Sequence, residues 1–185
     1  MHNSPAAPIF LIGYRGTGKT TVAKLLAARL DRDWVDSDSE IERQYGESIA
    51  KLFVERGEPA FRELEAVVVQ NVCQRRGGVV AVGGGAVLRE DNRAAICTAG
   101  PVVWLTASVR SLVERLAADA VTPAQRPNLT TAGTLQEIDA VLAERTPAYR
   151  ACATLVIDTE GKSPAEVADE IVTKLSSSNS GEVSK

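Results

Sequence analysis

The sequence predicts a three-layer α/β/α fold, with helices on both faces of a central parallel sheet of about five strands. The first observation behind this is alternation. Short apolar runs at 9–12, 34–35 with their neighbours, 79–82, 102–105 and 155–157 are separated by stretches of helical periodicity. That is the pattern of βα units whose strands are buried on both faces. The second is that the first apolar run leads into a glycine-bearing loop and then a helical stretch at 21–30, where Leu25, Leu26 and Leu30 share a face. The third is size and composition. With 185 residues, 44% hydrophobic and 24% charged, the chain has the makings of one ordinary globular domain over 1–175.

The remaining elements follow in order. The stretch 58–75 places Phe61, Leu64, Val68 and Val72 on one helical stripe. Ser108 is placed to cap a helix over 109–118, and Ser163 followed by Pro164 opens a last helix that runs to about Leu175. Residues 119–134 hold prolines, a glycine and Arg126 but little apolar periodicity. A connection of this length reads as a lid or binding loop, with a surface insertion as the alternative. The polar, aperiodic 176–185 segment is expected to be disordered.

Composition excludes several functions. A net charge of −3 without a dense basic run gives no footprint for nucleic acid. No apolar stretch reaches membrane-spanning length, and 1–8 lacks the apolar core of a signal peptide. The expectation is therefore a cytoplasmic protein, and a monomer, since no exposed apolar stripe stands out. Cys73, Cys97 and Cys152 are odd in number and far apart in sequence, and read as buried thiols. His2 is the only histidine and lies in a tail. A Ser-His-Asp triad, a Cys-His pair and a histidine zinc site are thereby disfavoured, leaving carboxylates as bases and Lys, Arg or metal as cations.

The chemistry starts at Gly13-Tyr14-Arg15-Gly16-Thr17-Gly18-Lys19-Thr20. Between a strand and a helix, this spacing is that of a phosphate-binding loop: curled backbone N–H groups, a lysine for the outer phosphates and a hydroxyl for Mg²⁺. The chain is thus expected to bind a nucleoside triphosphate with magnesium. The second apolar run ends in Asp36-Ser37-Asp38. Carboxylates two apart in an extended segment point to one side, at the strand end where ligands bind. One could hold the metal and the other an acceptor hydroxyl; capping of the next helix is the alternative. The third run ends in Gly83-Gly84-Gly85, where bare backbone would let a small substrate lie against N–H groups, or simply turn. Arg62, Arg126 and Arg145 are candidates for carboxylate or phosphate, with solvated surface arginines as the alternative.

Taken as an ordered set, the phosphate loop with Thr21, Val35-Asp36-Ser37-Asp38, Phe61-Arg62-Glu63-Leu64-Glu65, Val82-Gly83-Gly84-Gly85-Ala86-Val87, Arg126-Pro127-Asn128-Leu129 and Arg145-Thr146-Pro147-Ala148-Tyr149-Arg150 resembles the shikimate kinase family, of the P-loop, nucleoside-monophosphate-kinase-like type. The resemblance runs from Ile9 to about Leu175. It implies transfer of the γ-phosphoryl of ATP to the 3-hydroxyl of shikimate, with Mg²⁺ as cofactor, in aromatic amino-acid biosynthesis. It implies that Gly16, Thr17, Gly18, Lys19, Thr20 and Thr21 cradle ATP, with Thr20 and Asp36 at the metal. Asp38 would bind the shikimate ring hydroxyls and orient the attacking one, its deprotonation being open. Arg62 and Arg145 would clamp the substrate carboxylate, and Gly84, within Gly83 to Gly85, would offer its N–H. Arg126 would come onto the phosphates with the lid. Lys162 would lie near adenine, with Arg115 as a weaker neighbour; the length between Arg115 and Arg126 and a lysine at position 162 depart from the family pattern. A gluconate-type kinase and a non-catalytic nucleotide-binding regulator are the rivals, while a GTPase lacks its Asn-Lys-x-Asp motif here.

Overall fold

The computed structural model describes residues 7–75, 77–118 and 135–179. The 119–134 segment with Arg126, and 180–185, lie outside the described residues. Five strands, β1 (Ile9–Ile12), β2 (Trp34–Asp36), β3 (Val79–Ala81), β4 (Val102–Thr106) and β5 (Leu155–Asp158), pair in parallel in the order β2-β3-β1-β4-β5. Between and after them run α1 (Lys19–Leu30), α2 (Ser37–Tyr45), α3 (Ile49–Cys73), α4 (Glu90–Ala99), α5 (Val109–Ala118), α6 (Leu135–Cys152) and α7 (Pro164–Asn179). A short 3₁₀ turn, Ala86–Leu88, follows β3. The α/β/α layering and parallel sheet expected from the alternation are what forms.

The strands alternate between two cores. Phe10, Ile12 and Val80 pack toward Ile41, Phe61, Val68 and Val72 of α2 and α3. Ile9, Leu11, Val79 and Ala81 pack toward Val22 and Leu26 of α1 and Ile171 of α7. Both faces of β1 are buried, which is why its sequence is an uninterrupted apolar run. Leu26 is fully buried, whereas Leu25 and Leu30 only flank the core. Tyr14, Leu112 and Ile138 form a third cluster, holding α5 and α6 against the loop after β1.

Local signals set the element ends. Ser108 Oγ accepts the Ser111 N–H at the start of α5. Ser163 and Glu166 exchange hydrogen bonds at the start of α7, a capping box. The stripe expected from residue 58 is the second part of α3. Gly57, at φ 76°, breaks the helical path ahead of Pro59, and the turns from Ile49 precede it. At the other end, α7 continues to Asn179 rather than stopping near Leu175. The hydroxyls of Ser176 and Ser177 donate to the carbonyls of Val172 and Thr173 within this added turn, which keeps them from competing for the backbone in a turn conformation. No described helix is long and apolar enough to cross a membrane.

The thiols differ from expectation. Cys97 is exposed, Cys73 half-buried and only Cys152 buried, and Cys97 and Cys152 touch despite their separation in sequence.

Leu26 joins α1 to the sheet directly behind the phosphate loop. Leu26→Ala should lower the unfolding free energy by about 2–5 kcal/mol. It should appear as a lower urea midpoint at unchanged slope. A loss below about 1 kcal/mol would contradict this packing.

Candidate active site

A cleft of about 390 Å³ opens at the carboxyl ends of the strands. The loop after β1 forms one wall, with Gly16, Gly18, Lys19, Thr20 and Thr21 exposed to it. Gly18, in the left-handed region at φ 87°, is the residue from which α1 starts. The start of α1, with its positive end, thus faces the cleft. Thr17 does not. It is buried, and its hydroxyl donates to the Tyr14 carbonyl, as does Lys19 Nζ at 2.9 Å. Those two bonds fix the loop's curl from inside.

Opposite stands the β2–α2 junction. Asp36 caps α2 with Oδ1, which accepts the N–H groups of Asp38 and Ser39, and its Oδ2 accepts the Thr20 hydroxyl at 2.6 Å. Capping and a place beside Thr20, alternatives in the sequence, are both realised, one by each oxygen. Asp36 and Asp38 both line the cleft. A hydroxyl and a carboxylate in contact form a hard-oxygen donor pair of the kind Mg²⁺ takes.

The triple glycine is explained by side chains of the protein. A Cβ on Gly83 would lie 2.3 Å from Asp38 Oδ1, and one on Gly85 would lie 2.8 Å from Arg62 Nη1. Gly83 also donates its N–H to Ser37 Oγ at 2.8 Å, so that N–H already has a partner. Gly84 is less crowded but not open: its carbonyl accepts the Tyr149 hydroxyl, and a Cβ there would lie 3.3 Å from the Gly13 carbonyl oxygen and 3.7 Å from Arg145 Nη1. Gly83 and Gly84 line the cleft and Gly85 does not.

Arg62 and Arg145 lie beside the adjacent glycines Gly85 and Gly84, but neither side chain lines the cleft itself. Arg62 is ion-paired to Glu58 and to fully buried Glu65. Burial opposes its charge, but the glutamates more than offset this and hold its pKa above the ordinary arginine value. The Arg145 guanidinium sits 5.9 Å above the Tyr14 ring.

Lys162 is not brought to the cleft. Its Nζ donates to Glu170 and to the Asp158 carbonyl. Arg115 lines the cleft, donates to Thr159 and reaches the Gly16 carbonyl at 3.4 Å. Arg126 lies outside the described residues. Ser37, Glu65 and Tyr149 are supporting residues that the sequence reading passed over. Ser37 between two aspartates and Glu65 three residues after Arg62 were available signals; nothing local marks Tyr149. Arg15 is a further addition: it lines the cleft, and its buried Nε has no hydrogen-bond partner among the described residues.

Comparison with known proteins accords with this arrangement. The family model described as shikimate kinase matches residues 15–176. A shikimate kinase of Rhodopirellula baltica is 43% identical over 180 residues, 96% of each chain. The solved shikimate kinase from Acinetobacter baumannii in complex with shikimate superposes with a TM-score of 0.87 at 35% identity, over 94% of both chains. A gluconokinase from Sinorhizobium meliloti shares the fold alone, with a TM-score of 0.58 at 16% identity over 93% of this chain and 92% of that one. Since the family model spans most of the sequence and the relatives align from end to end, the chain belongs to the shikimate kinase family of ATP-dependent kinases.

Proposed function

We propose that this chain transfers the γ-phosphoryl group of ATP to the 3-hydroxyl of shikimate, releasing ADP and shikimate 3-phosphate. One observation carries the reading: Lys19 and Thr20 on one wall of the cleft are faced by Asp36 and Asp38 on the other. Phosphoryl transfer needs little beyond placement and charge stabilisation, and this arrangement offers both.

The loop at 16–21 receives the phosphates on its N–H groups, with the Lys19 charge alongside. Thr20 and Asp36 would hold Mg²⁺, which when bound neutralises phosphate charge. Asp38 accepts the hydrogen bond of the attacking hydroxyl and orients it; its position is set by Gly83 behind it. Arg62 and Arg145 take the substrate carboxylate. Three Arg62 bonds, from Nε, Nη1 and Nη2, go to Glu58 and Glu65. Among the described residues, one N–H remains on each terminal nitrogen, the pair that suits a carboxylate. Gly84 offers backbone to the substrate between the two arginines. Arg115, beside Gly16, is better placed for the nucleoside than Lys162. Arg126 completes the reading as the cation covering the phosphates. We place the enzyme in the cytoplasm and read it as a monomer, the latter supported by the scatter of the exposed large apolar residues, among those described, over β2, α3, α6 and β5.

ADP release with ATP and Mg²⁺ should depend on shikimate and exceed that with gluconate, or with no acceptor, by at least about 100-fold. Equal rates with gluconate would refute the assigned acceptor. Asp38→Asn should lower kcat by about 100-fold or more with ATP affinity retained, and near-normal turnover would remove Asp38 from its role. Arg145→Ala should raise the KM for shikimate about 10–100-fold, from loss of a charge-assisted contact, and change kcat less. An unchanged shikimate KM would dissolve the clamp.

A further inference from the structure

Cys97 sits on α4 and Cys152 is the last residue of α6, 55 positions further along. Their Sγ atoms are 2.9 Å apart, and Cys97 Sγ lies 3.7 Å from the Cys152 carbonyl oxygen. A disulfide bond is about 2.05 Å long, so closure needs an approach of about 1 Å. Cys97 is exposed and Cys152 is 3% exposed. The outer sulfur is thus reachable from solvent and backed by a second that is not.

We propose that Cys97 and Cys152 are a reversible oxidation site, where a peroxide-class oxidant joins them in an intramolecular disulfide that staples α4 to the end of α6. In the first step the Cys97 thiolate attacks one peroxide oxygen. The O–O bond breaks, the sulfur gains OH to become a sulfenic acid, and the other oxygen leaves as hydroxide and takes the Cys97 proton as water. In the second step the Cys152 sulfur attacks the sulfenic sulfur. The S–S bond forms, the S–O bond breaks, and the departing hydroxide leaves as water with the Cys152 proton. Two thiols give up two electrons and two protons, and one peroxide becomes two waters. A small dithiol reverses the change by exchange.

The order of steps has a physical basis. Burial, with the hydrogen bond to Cys97 adding to it, pushes the Cys152 thiol up to about 12, so it stays protonated at neutral pH and is a poor first target. Cys73 is held at about 11 by burial; it is near enough to Cys152 to push that thiol up a little further, but among the described residues the hydrogen-bond-range sulfur pair is Cys97 with Cys152.

The staple joins two helices that grip the same segment. From α6, Tyr149 donates to the Gly84 carbonyl. From α4, Asn92 donates to the Ala86 carbonyl, and Arg93 to those of Val87 and Leu88. The cross-link also closes a long loop, which constrains the unfolded chain.

The test uses the full chain, reduced, freed of reductant and exposed to millimolar hydrogen peroxide, then unfolded and alkylated. The oxidised protein should be about 2 Da lighter before alkylation. It should take up one alkyl group where the reduced protein takes three, at Cys73. Digestion should give a Cys97–Cys152 linked peptide that disappears with a dithiol. The thermal midpoint should rise by about 5 °C on oxidation. Cys97→Ser should fold, and lose both the linked peptide and the rise. Three alkylated thiols after peroxide, a link through Cys73, or Cys97 converted to its sulfinic acid, about 32 Da heavier, beside an intact Cys152 would each overturn the proposal.

Discussion

The cleft depends on the short turn that joins β2 to α2. Because β2 is an edge strand, paired only with β3, its end has a sheet neighbour on one side alone. Three consecutive side chains supply the missing ties. Asp36 caps α2 with one oxygen and holds Thr20 with the other. Ser37, fully buried, accepts the N–H of Gly83. Asp38 lies against the same glycine. The turn therefore links the phosphate loop after β1 to the glycine segment after β3, and it aims both carboxylates into the space between them.

A second constraint follows from the first. Backbone at Gly83 and Gly85 is approached so closely by Asp38 and Arg62 that a methyl group would collide with either. These glycines make room for the protein's own charged groups. Arg62 is in turn braced by Glu65, which is fully buried, so the guanidinium is preorganised by a carboxylate that water does not screen. On the other side Tyr149, from α6, fixes the Gly84 carbonyl. Elements distant in sequence are drawn onto a three-residue floor by hydrogen bonds that each satisfy a buried polar group.

How much of this was legible in the sequence varied with the range of the forces involved. The strands, the phosphate loop and the caps at Ser108 and Ser163 were readable, because each is set by local periodicity or by a side chain within three residues. Asp36 and Asp38 could be placed at a strand end, but the division of Asp36 between cap and Thr20 is a tertiary fact. The break at Gly57 was hidden in a continuous helical pattern, and α7 runs on past Leu175 through serines, residues whose ordinary preference is for caps and turns. The ion pair of Lys162 was not legible, because its partner Glu170 lies eight residues on, inside α7. The contact between Cys97 and Cys152 leaves no trace in spacing, since it arises only when α4 and α6 pack together.

The role proposed for Asp38 depends on a position that only the absence of a side chain at Gly83 leaves open. Gly83→Ala tests it most directly, with ATP binding measured by calorimetry and shikimate-dependent turnover measured on the same protein. The added methyl must displace Asp38 while leaving the phosphate loop in place. ATP affinity should stay within about threefold of the parent while turnover falls by about 100-fold or more. Turnover within about threefold of the parent, with ATP bound as before, would contradict that role.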